Sequence, residues 1–478
     1  MSISDFVFPY GTLKADNRWV RLAELIPWDE VERKYSQGFA NDGAPAHPAR
    51  MALGSLIIKQ VLKCSDEELC NQVAENAYLQ YLVGMKEFTK ECPFGASTLV
   101  AFRKRFSEED IAWINELILK RNAGPGRHEK CNDDCDDDDT DDDTPGGAGE
   151  VTMALDATVA PSEITFPQDV KLLNTAREKL EGMVAWCCIQ AGAKRPRMYS
   201  RKARIEFLDW SKSKKRTAKK TRRAIRQQLQ YIRRDLGYLD SMILKYTLEL
   251  PKDMACELIT INMLYVQQLY MYEYKTHSVK DRIVSISQPW VRPIVRGKAK
   301  VNTEFGAKVH ISTDNGGFAR IERISFDAFN ESEGLTDAVM RFFKRTGYFP
   351  ERILADQIYR SRSNLAWCAK QGIRLSGPKL GRPPKDASAT REQKATERKD
   401  AADRNIVEGV FGTTKRVYGL DPVAAKLEGT TRTVISLAIL VFNLKKLLRA
   451  SLSFFWAVLD WLGFSSNRAG FKVFSIGL

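Results

Sequence analysis

The sequence has no disulfide framework, no secretory signal and no apolar run long enough to cross a bilayer. Its nine cysteines are an odd number without regular spacing, whereas proteins that fold around disulfides carry paired, spaced cysteines. The opening residues, Met1 to Phe6, lack the basic and apolar regions of a signal peptide. The apolar runs 434–440 and 452–464 are shorter than the roughly 20 residues that a bilayer span needs. We therefore expect a cytoplasmic protein without a membrane contact, and buried helices at both runs.

Two common metal-binding patterns are also missing, although one stretch is rich in their ligands. Nine aspartates lie between Asp133 and Asp143, but the alternation and final glutamate of an EF-hand loop are absent. Cys131 and Cys135 have no second pair of ligands, which argues against a zinc site. Because residues 123–149 contain almost no apolar side chains, they predict a disordered acidic linker.

A surplus of positive charge is present outside this linker. The formal net charge of the whole chain is +14 in spite of the nine clustered aspartates. Between Lys194 and Arg234, 17 lysines and arginines stand against two acids. Such density predicts salt-sensitive binding to DNA, with Trp210 and Tyr231 available to touch sugars or bases. The alternative is a solvated helical face. The candidate DNA contacts in this stretch are Lys214, Lys215, Arg222 and Arg223.

Residues 1–122 show the apolar spacing of helices. Pro48 is placed to begin one helix, and Ser65 with Glu68 forms a capping pattern for the next. A further helix is predicted near Ser97, and it carries the basic residues Arg103 and Arg105. This arrangement suits a helix-turn-helix that binds the major groove. A helical packing or dimerisation module explains it equally well.

Alternating apolar residues further along predict a short series of strands. Strands are expected at 305–312 and 318–326, joined by a turn at Asn315-Gly-Gly317. Residues 333–346 have helical spacing, and residues 353–356 predict another strand.

Three acidic residues occur at informative places in this pattern. Asp156 ends the apolar run 151–156, Asp356 ends the run 352–356, and Glu408 lies in a helical pattern. An aspartate at a strand end is more often a turn or cap residue. Three carboxylates from separate elements, however, can converge to hold a pair of divalent cations for phosphodiester chemistry.

The order of the predicted elements indicates an α/β fold. A strand with Asp156 is followed by a long helical insertion, a hairpin, a helix, a strand with Asp356 and a helix with Glu408. Without the insertion, this is the order of an RNase H-like domain. The predicted organisation is a helical N-terminal domain, the acidic linker, an RNase H-like catalytic domain with a basic helical insertion, and a helical tail. Their bounds are 1–122, 123–149, 150–450 with the insertion at about 165–300, and 451–478.

With this order of elements, the chain resembles the DDE transposases of bacterial insertion sequences. The likeness in the N-terminal part lies in Pro48-Ala-Arg-Met-Ala-Leu-Gly54, Ser65-Asp-Glu-Glu-Leu69 and Leu79-Gln-Tyr-Leu-Val-Gly84. In the catalytic half it lies in residues 288–297, in Ala355-Asp-Gln-Ile-Tyr359 and in residues 375–384. The resemblance covers most of residues 45–450.

The resemblance implies a mechanism and a set of metal ligands. Asp156, Asp356 and Glu408 would bind two Mg²⁺ ions, which Mn²⁺ can replace. Hydrolysis at the element end would expose a 3′-hydroxyl, and the same site would join it to target DNA without a covalent protein intermediate. Relatives work on paired ends, which implies a homodimer or larger assembly on double-stranded DNA and an association with the nucleoid.

The resemblance also implies DNA contacts around the catalytic helix. Relatives carry Tyr, Arg, Glu and Lys at fixed spacing, and here Arg404, Glu408 and Lys415 match while Ala401 replaces the tyrosine. The spacing places the three matching residues on one helix face. Trp290 would stack on an extruded base or belong to the core. Arg292 and Arg296, which follow it in the chain, are further candidate DNA contacts. The segment 379–385 is either a minor-groove hook or a proline-rich loop.

Two other functions fit the same sequence. One is a DNA-binding regulator derived from a transposase that no longer cuts. The other is a nuclease that cuts DNA without the joining step.

Overall fold

The computed structural model describes residues 2–39, 46–123, 151–295, 303–378 and 387–461, with side chains from 391 to 450 in the last range. The acidic stretch 124–149, Arg296, the segment 379–385 and the residues after 461 lie outside the described residues.

The first 122 residues fold into helices, as their apolar spacing predicts. The helix at Pro48 is confirmed, and the Ser65 hydroxyl accepts a hydrogen bond from the Glu68 amide at the start of the next. The helix that begins after Ser65 ends at Glu75, and Asn76 caps a new one. The seven α-helices are Arg18–Leu25 (α1), Trp28–Ser36 (α2), Ala49–Leu62 (α3), Asp66–Glu75 (α4), Ala77–Leu82 (α5), Thr98–Arg105 (α6) and Glu108–Arg121 (α7).

A mixed sheet forms the centre of the second half. Its strands are Thr152–Pro161 (β1), Arg292–Val295 (β2), Thr303–Thr313 (β3), Ala319–Ser325 (β4), Arg352–Ala355 (β5) and Arg374–Leu375 (β6). The order is β2-β3-β1-β5-β6, and β4 also pairs with β3. Strand β1 is antiparallel to β3 and parallel to β5. The predicted strands at 305–312, 318–326 and 353–356 are thereby confirmed.

Eight further α-helices surround this sheet or extend from it. They are Asp169–Gln190 (α8), Ser200–Lys212 (α9), Ala218–Tyr246 (α10), Lys252–Tyr274 (α11), Leu335–Thr346 (α12), Arg362–Lys370 (α13), Ala387–Val417 (α14) and Glu428–Trp461 (α15). Helices α8, α10 and α11 pack around their own apolar core, which makes the insertion between β1 and β2 a helical bundle. The chain is therefore of mixed α/β class, and α8 to α11 lie between β1 and β2.

The two faces of the sheet are covered by different helices. Met153 and Leu155 of β1 pack with α12 and α13 on one face. On the other face, β3 and β4 share a large core with α15 and with the seven N-terminal helices. Asn443 of α15 ties these elements together, since its amide nitrogen donates to Asn115 Oδ1 of α7 and to the Ala319 carbonyl of β4. The N-terminal helices thus share one core with the second half of the chain.

The apolar run 434–440 lies inside α15 and is largely buried, as expected. Among the helices in the described ranges, none combines the length and the apolar character needed to cross a membrane.

Candidate active site

Asp156 lies in the middle of β1, not at the end of a strand as expected. Pairing with β5 stops at Leu155, opposite Ala355. Pairing with β3 continues from Asp156 opposite Ile311 as far as Pro161 opposite Gly306. The strand therefore continues past the acid because β3 supports it on the other side. The Asp156 carboxylate accepts a hydrogen bond from the amide of Ala157, with an N···O distance of 2.7 Å.

Asp356 directly follows β5, as its apolar run predicts. Its carboxylate accepts a hydrogen bond of 2.7 Å from the Gln357 amide and so caps a 3-10 turn at Gln357–Tyr359. The last parallel pair is Leu155 opposite Ala355, so Asp156 and Asp356 are the next residues on two neighbouring strands. Side chains alternate along strands, which puts both acids on the face that carries Ala154 and Leu354.

Glu408 reaches the same face from α14. Val407, one residue earlier on this helix, packs against Ala154 of β1 and Leu354 of β5. The Glu408 side chain is 56% exposed and the Asp356 side chain 58% exposed. The fold therefore brings the three predicted carboxylates to one surface, at the edge where β5 ends and α14 crosses.

A buried ionic cluster fixes α14 against the strands. Asp400, one turn before Arg404, has only 4% of its side chain exposed. Its carboxylate accepts hydrogen bonds from Arg352 of β5 and two more from Arg374 of β6. Asp403 forms a second ion pair with Arg352, at 2.9 Å. Sequence reasoning did not single out these four residues, although Arg352 and Arg374 stand at the start of apolar strand segments.

Arg404 lies between two of the three carboxylates. Its Nη1 atom is 3.1 Å from Asp356 Oδ1, and its Nη2 atom is 3.5 Å from Glu408 Oε1. Sequence reasoning had assigned this guanidinium to DNA phosphates. In the structure it instead pairs with two carboxylates of the cluster.

The donor atoms suit a hard divalent cation, although the cluster is not closed around one. Within the described part of the chain, no three His, Cys, Asp or Glu side chains are arranged to hold a metal ion. The shared surface offers only carboxylate oxygens, which are the ligands that Mg²⁺ prefers. Because Arg404 separates Asp356 from Glu408, its side chain has to withdraw before both can bind the same ion.

The electrostatic environment of Asp156 differs from that of an exposed carboxylate. The pKa of Asp156 is raised to about 6, mainly by burial and in part by the negative charges of Glu331 and Asp356, against the opposing charge of Arg404. Glu331 is a fourth acid near the site that sequence reasoning missed. It lies in a 3-10 turn, Glu331–Gly334, and pairs with Lys308 of β3 at 2.8 Å.

A buried aromatic pair supports the opposite side of the Asp356 turn. The Tyr359 hydroxyl and His310 Nε2 are 2.9 Å apart, and their rings stack with centroids 5.7 Å apart. The pKa of His310 is lowered to about 4, mainly by burial and in part by the positive charges of Lys308, Arg341 and Arg323. His310 is therefore neutral at physiological pH. Asn364 joins this turn to that of Glu331, because its amide donates to the carbonyls of Tyr359 and Ser332.

The basic residues predicted in the N-terminal helices and on α14 lie in different settings. Arg103 forms two hydrogen bonds with Asp66, and its side chain is 13% exposed. Arg105 is exposed, with its Nη1 donating to the Tyr35 hydroxyl and its guanidinium 4.7 Å from the centre of the Phe39 ring. Lys415 is partly buried in the last turns of α14.

The predicted contacts on the helical insertion are mostly exposed. Lys214 and Lys215 lie between α9 and α10, and both are exposed, as is Arg223. Arg222 is partly buried, with its guanidinium 4.1 Å from the centre of the Tyr272 ring.

The two aromatic residues expected to reach nucleic acid are engaged within the bundle. Trp210 is buried and its indole nitrogen donates to Thr221. The Tyr231 hydroxyl donates to the Glu206 carboxylate at 2.9 Å. These partners make both aromatics part of the insertion's own packing.

The motif around Trp290 packs onto the body of the protein. Trp290 is partly buried against the large core, and its indole nitrogen is buried without an acceptor among the described residues. Arg292 of β2 donates to the carbonyls of Pro289 and Val291, and its Nε lies 3.8 Å from Asp327. Arg296 falls outside the described residues.

The fold and the site define an α/β protein with a group of carboxylates at the edge of its sheet and with a basic helical insertion. A family model described as "Transposase DDE domain" matches residues 353–445, and one described as "Transposase domain (DUF772)" matches residues 9–105. The two matches, on separate parts of the chain, support the interpretation of the chain as a DDE transposase of an insertion sequence. The first match contains Asp356 and Glu408 but not Asp156.

The other comparisons add one relative. The "Uncharacterized protein ORF8 in nfe locus" of Rhizobium meliloti is 28% identical over 166 residues, which are 34% of this chain and 70% of that protein. No solved structure matches the chain. The matched transposase families imply a nuclease or transposition activity on DNA, and DDE transposases generally use divalent metal ions.

Proposed function

We propose that this protein cuts DNA at the ends of an insertion sequence and joins the resulting 3′-hydroxyl to target DNA. Asp156, Asp356 and Glu408 carry the reaction as ligands of divalent cations. One observation carries this proposal. Asp156 and Asp356 occupy equivalent positions, each directly after the last paired residue of two neighbouring parallel strands, and the helix with Glu408 crosses the same face.

The proposed ions are two Mg²⁺, with Mn²⁺ as a substitute. Held by these carboxylates, they would activate the attacking water and stabilise the leaving oxygen. Asp156 must be ionised to act as a ligand, and its pKa of about 6 allows this at neutral pH. Asp356 and Glu408 are half exposed, so a DNA strand can reach both.

We further propose that the catalytic half is an RNase H-like domain. The sheet order supports this: β3 is antiparallel to β1, β4 follows in the same hairpin, and β5 and β6 are parallel to β1 on its other side. Two acids then lie on β1 and after β5, and the third on a helix, which is the order that the sequence predicts for this fold.

DNA is proposed to bind along the basic side of the insertion and near α14. Exposed Lys214, Lys215 and Arg223 supply phosphate contacts, and each neutralised phosphate contributes to a steep dependence on salt. Arg404 would move from its two carboxylates to the DNA backbone when cations bind. Lys415, Arg103, Arg105, Arg222 and Arg292 remain candidate DNA contacts.

A second function, a DNA-binding regulator without cutting activity, is favoured by one observation. Arg404 pairs with both Asp356 and Glu408, so a side chain of the protein itself already compensates part of the negative charge that a cation would need.

The experiment that separates the two functions measures nicking of DNA that carries the repeats flanking the gene. Wild type is compared with Asp156→Asn, Asp356→Asn and Glu408→Gln, with Mg²⁺ or Mn²⁺ and with binding measured on the same DNA. We expect nicks at the repeat ends in wild type alone and unchanged binding in all four proteins. Wild type that binds the ends but never cuts them would favour the regulator. Transfer of the cut 3′ end into a second DNA distinguishes a transposase from a plain nuclease.

A further inference from the structure

Helix α11 carries an apolar stripe on its outer face. Its inner face packs into the insertion bundle through Ile261, Leu264, Gln268 and Met271. The outer stripe consists of Ile259, Met263, Val266, Tyr270 and Tyr274, which are 59%, 54%, 63%, 46% and 69% exposed. A helix that is apolar on two opposite sides usually has a partner on each side.

The spacing of the stripe is that of a helix-to-helix seam. Together with the exposed Cys256, the residues at 259, 263, 266 and 270 alternate in steps of three and four. This is the heptad pattern in which the side chains of one helix fit between those of another. Tyr270 and Tyr274 continue the surface by contacting each other, with ring centroids 4.6 Å apart.

The charge of α11 distinguishes it from the rest of the insertion. Residues 258–272 contain no charged side chain, and the whole helix has one lysine against three acids. DNA would find no phosphate contact on this face, whereas the stretch 194–234 is strongly basic. Two copies of an uncharged apolar stripe can meet without repulsion.

The area of the stripe matches a modest dimer. A tyrosine side chain offers roughly 200 Å² and the three others less, so with slightly more than half of each exposed the five supply at most on the order of 600 Å² per copy. Two copies would bury about 1,200 Å², the lower end of the range for stable protein interfaces. Such an interface suits subunits that also meet through a shared DNA.

We propose that the α11 stripe is the surface through which two copies of this chain associate. The two helices pack along Ile259, Met263, Val266 and Tyr270, and the helical insertion thereby joins two sets of DNA-binding surfaces. This proposal does not depend on the assignment of the catalytic carboxylates.

The test measures the mass of the full-length protein in solution, without DNA or divalent cations, over a range of concentrations. Val266 lies near the middle of the stripe, so its two copies come within about one helical turn of each other in a parallel or an antiparallel pair. We expect wild type to show a monomer–dimer equilibrium. Val266→Glu and Val266→Lys should each weaken it by roughly 100-fold, because an unpaired charge would be buried in the seam. An equimolar mixture of the two variants should regain the dimer.

Leu244→Glu is the matched control, because Leu244 is 81% exposed on α10 and lies outside the stripe. It should associate as wild type does. Circular dichroism should show the same helix content in all variants, since Val266 is mostly solvent exposed. Dimers that persist in Val266→Glu would overturn the proposal. A wild-type protein that stays monomeric would also overturn it. The same holds if hydrogen exchange shows that another part of the same chain covers α11 in the monomer.

Discussion

Arg404 of α14 lies 3.1 Å from Asp356, the residue that follows β5, measured from Nη1 to Oδ1. The same guanidinium reaches Glu408, one turn further along the helix. A side-chain cation thus lies between two carboxylates that we propose as ligands of a divalent cation. The proposed metal ion would therefore compete with Arg404 for the same negative charge.

Removing this competitor should strengthen metal binding. Arg404→Met keeps the aliphatic stem but lacks the charge, and we expect Mn²⁺ to bind several-fold to about tenfold more tightly in the absence of DNA. Free Mn²⁺ measured by electron paramagnetic resonance during a titration gives the dissociation constant. End cleavage should fall in the same variant if Arg404 moves to the DNA backbone.

Arg398→Met is the control for this experiment, since Arg398 is an exposed residue of the same helix. It removes an equal charge and should leave Mn²⁺ affinity nearly unchanged. Weaker binding in Arg404→Met would contradict the competition.

Asp156 should reduce the stability of the metal-free protein at neutral pH. Its pKa is raised from 3.8 to about 6 in the folded state, so the folded protein holds this proton more tightly than the unfolded chain does. The resulting stability is present below about pH 4 and is lost as pH rises through about 6. We expect Asp156→Asn to raise the free energy of unfolding by roughly 1–3 kcal/mol at pH 7.5, with no gain at pH 3.5.

Thermal unfolding of the two proteins at a series of pH values, with chelator present, measures this difference. Asp356→Asn serves for comparison, because the Asp356 side chain is 58% exposed and pairs with Arg404. It should give no such gain. An equal melting temperature for wild type and Asp156→Asn at pH 7.5 would show that the buried carboxylate costs nothing.

The ionic cluster under α14 should be essential for both stability and cutting. Asp400 is 4% exposed and accepts hydrogen bonds from Arg352 and Arg374. Asp400→Asn leaves two arginines without a buried counter-charge, which we expect to cost about 3 kcal/mol. Chemical denaturation provides the free energy of unfolding.

The neighbouring Asp403 offers a graded comparison, since its side chain is 30% exposed. Asp403→Asn should cost less than about 1 kcal/mol. If the two variants lose equal stability, burial of Asp400 is not what anchors α14.

The pair of His310 and Tyr359 should support the turn that Asp356 caps. Tyr359→Phe removes the hydroxyl next to His310 Nε2 and leaves a buried polar atom without that partner. We expect a loss of about 1–3 kcal/mol together with slower end cleavage. Tyr348→Phe, at a residue 39% exposed, should change neither quantity. Full activity in Tyr359→Phe would separate this pair from the site.

Local pattern in the sequence was enough to predict many elements. Alternation predicts β3 and β4, the apolar run before Asp356 predicts β5, and the cap at Ser65 predicts the start of α4. These features depend on residues close together in the chain, where side-chain period and capping chemistry act directly.

Features that depend on distant partners could not be predicted in this way. β1 continues past Asp156 because β3 pairs with it from about 150 residues away, and the apolar run alone ends at the acid. The N-terminal helices share a core with α15 through contacts such as Asn115 with Asn443. Glu331 comes near Asp156 from a short turn without periodicity.

The partners of the basic side chains could not be predicted from the sequence either. Charge density predicts a polyanionic partner but not which side chains are already engaged. Arg103 binds Asp66, and Arg404 binds Asp356 and Glu408, so these guanidinium groups have protein partners when DNA is absent.

The central claim is that Asp356 binds a catalytic cation, and a change of ligand tests it most directly. Thiolate is a poor ligand for Mg²⁺ and a better one for the softer Mn²⁺. End cleavage by Asp356→Cys is therefore measured with each ion alongside wild type. We predict no cleavage with Mg²⁺ and restored cleavage at the same phosphates with Mn²⁺. Cleavage by Asp356→Cys at the wild-type rate with Mg²⁺ would contradict the account, because the carboxylate would then not be needed to hold the ion.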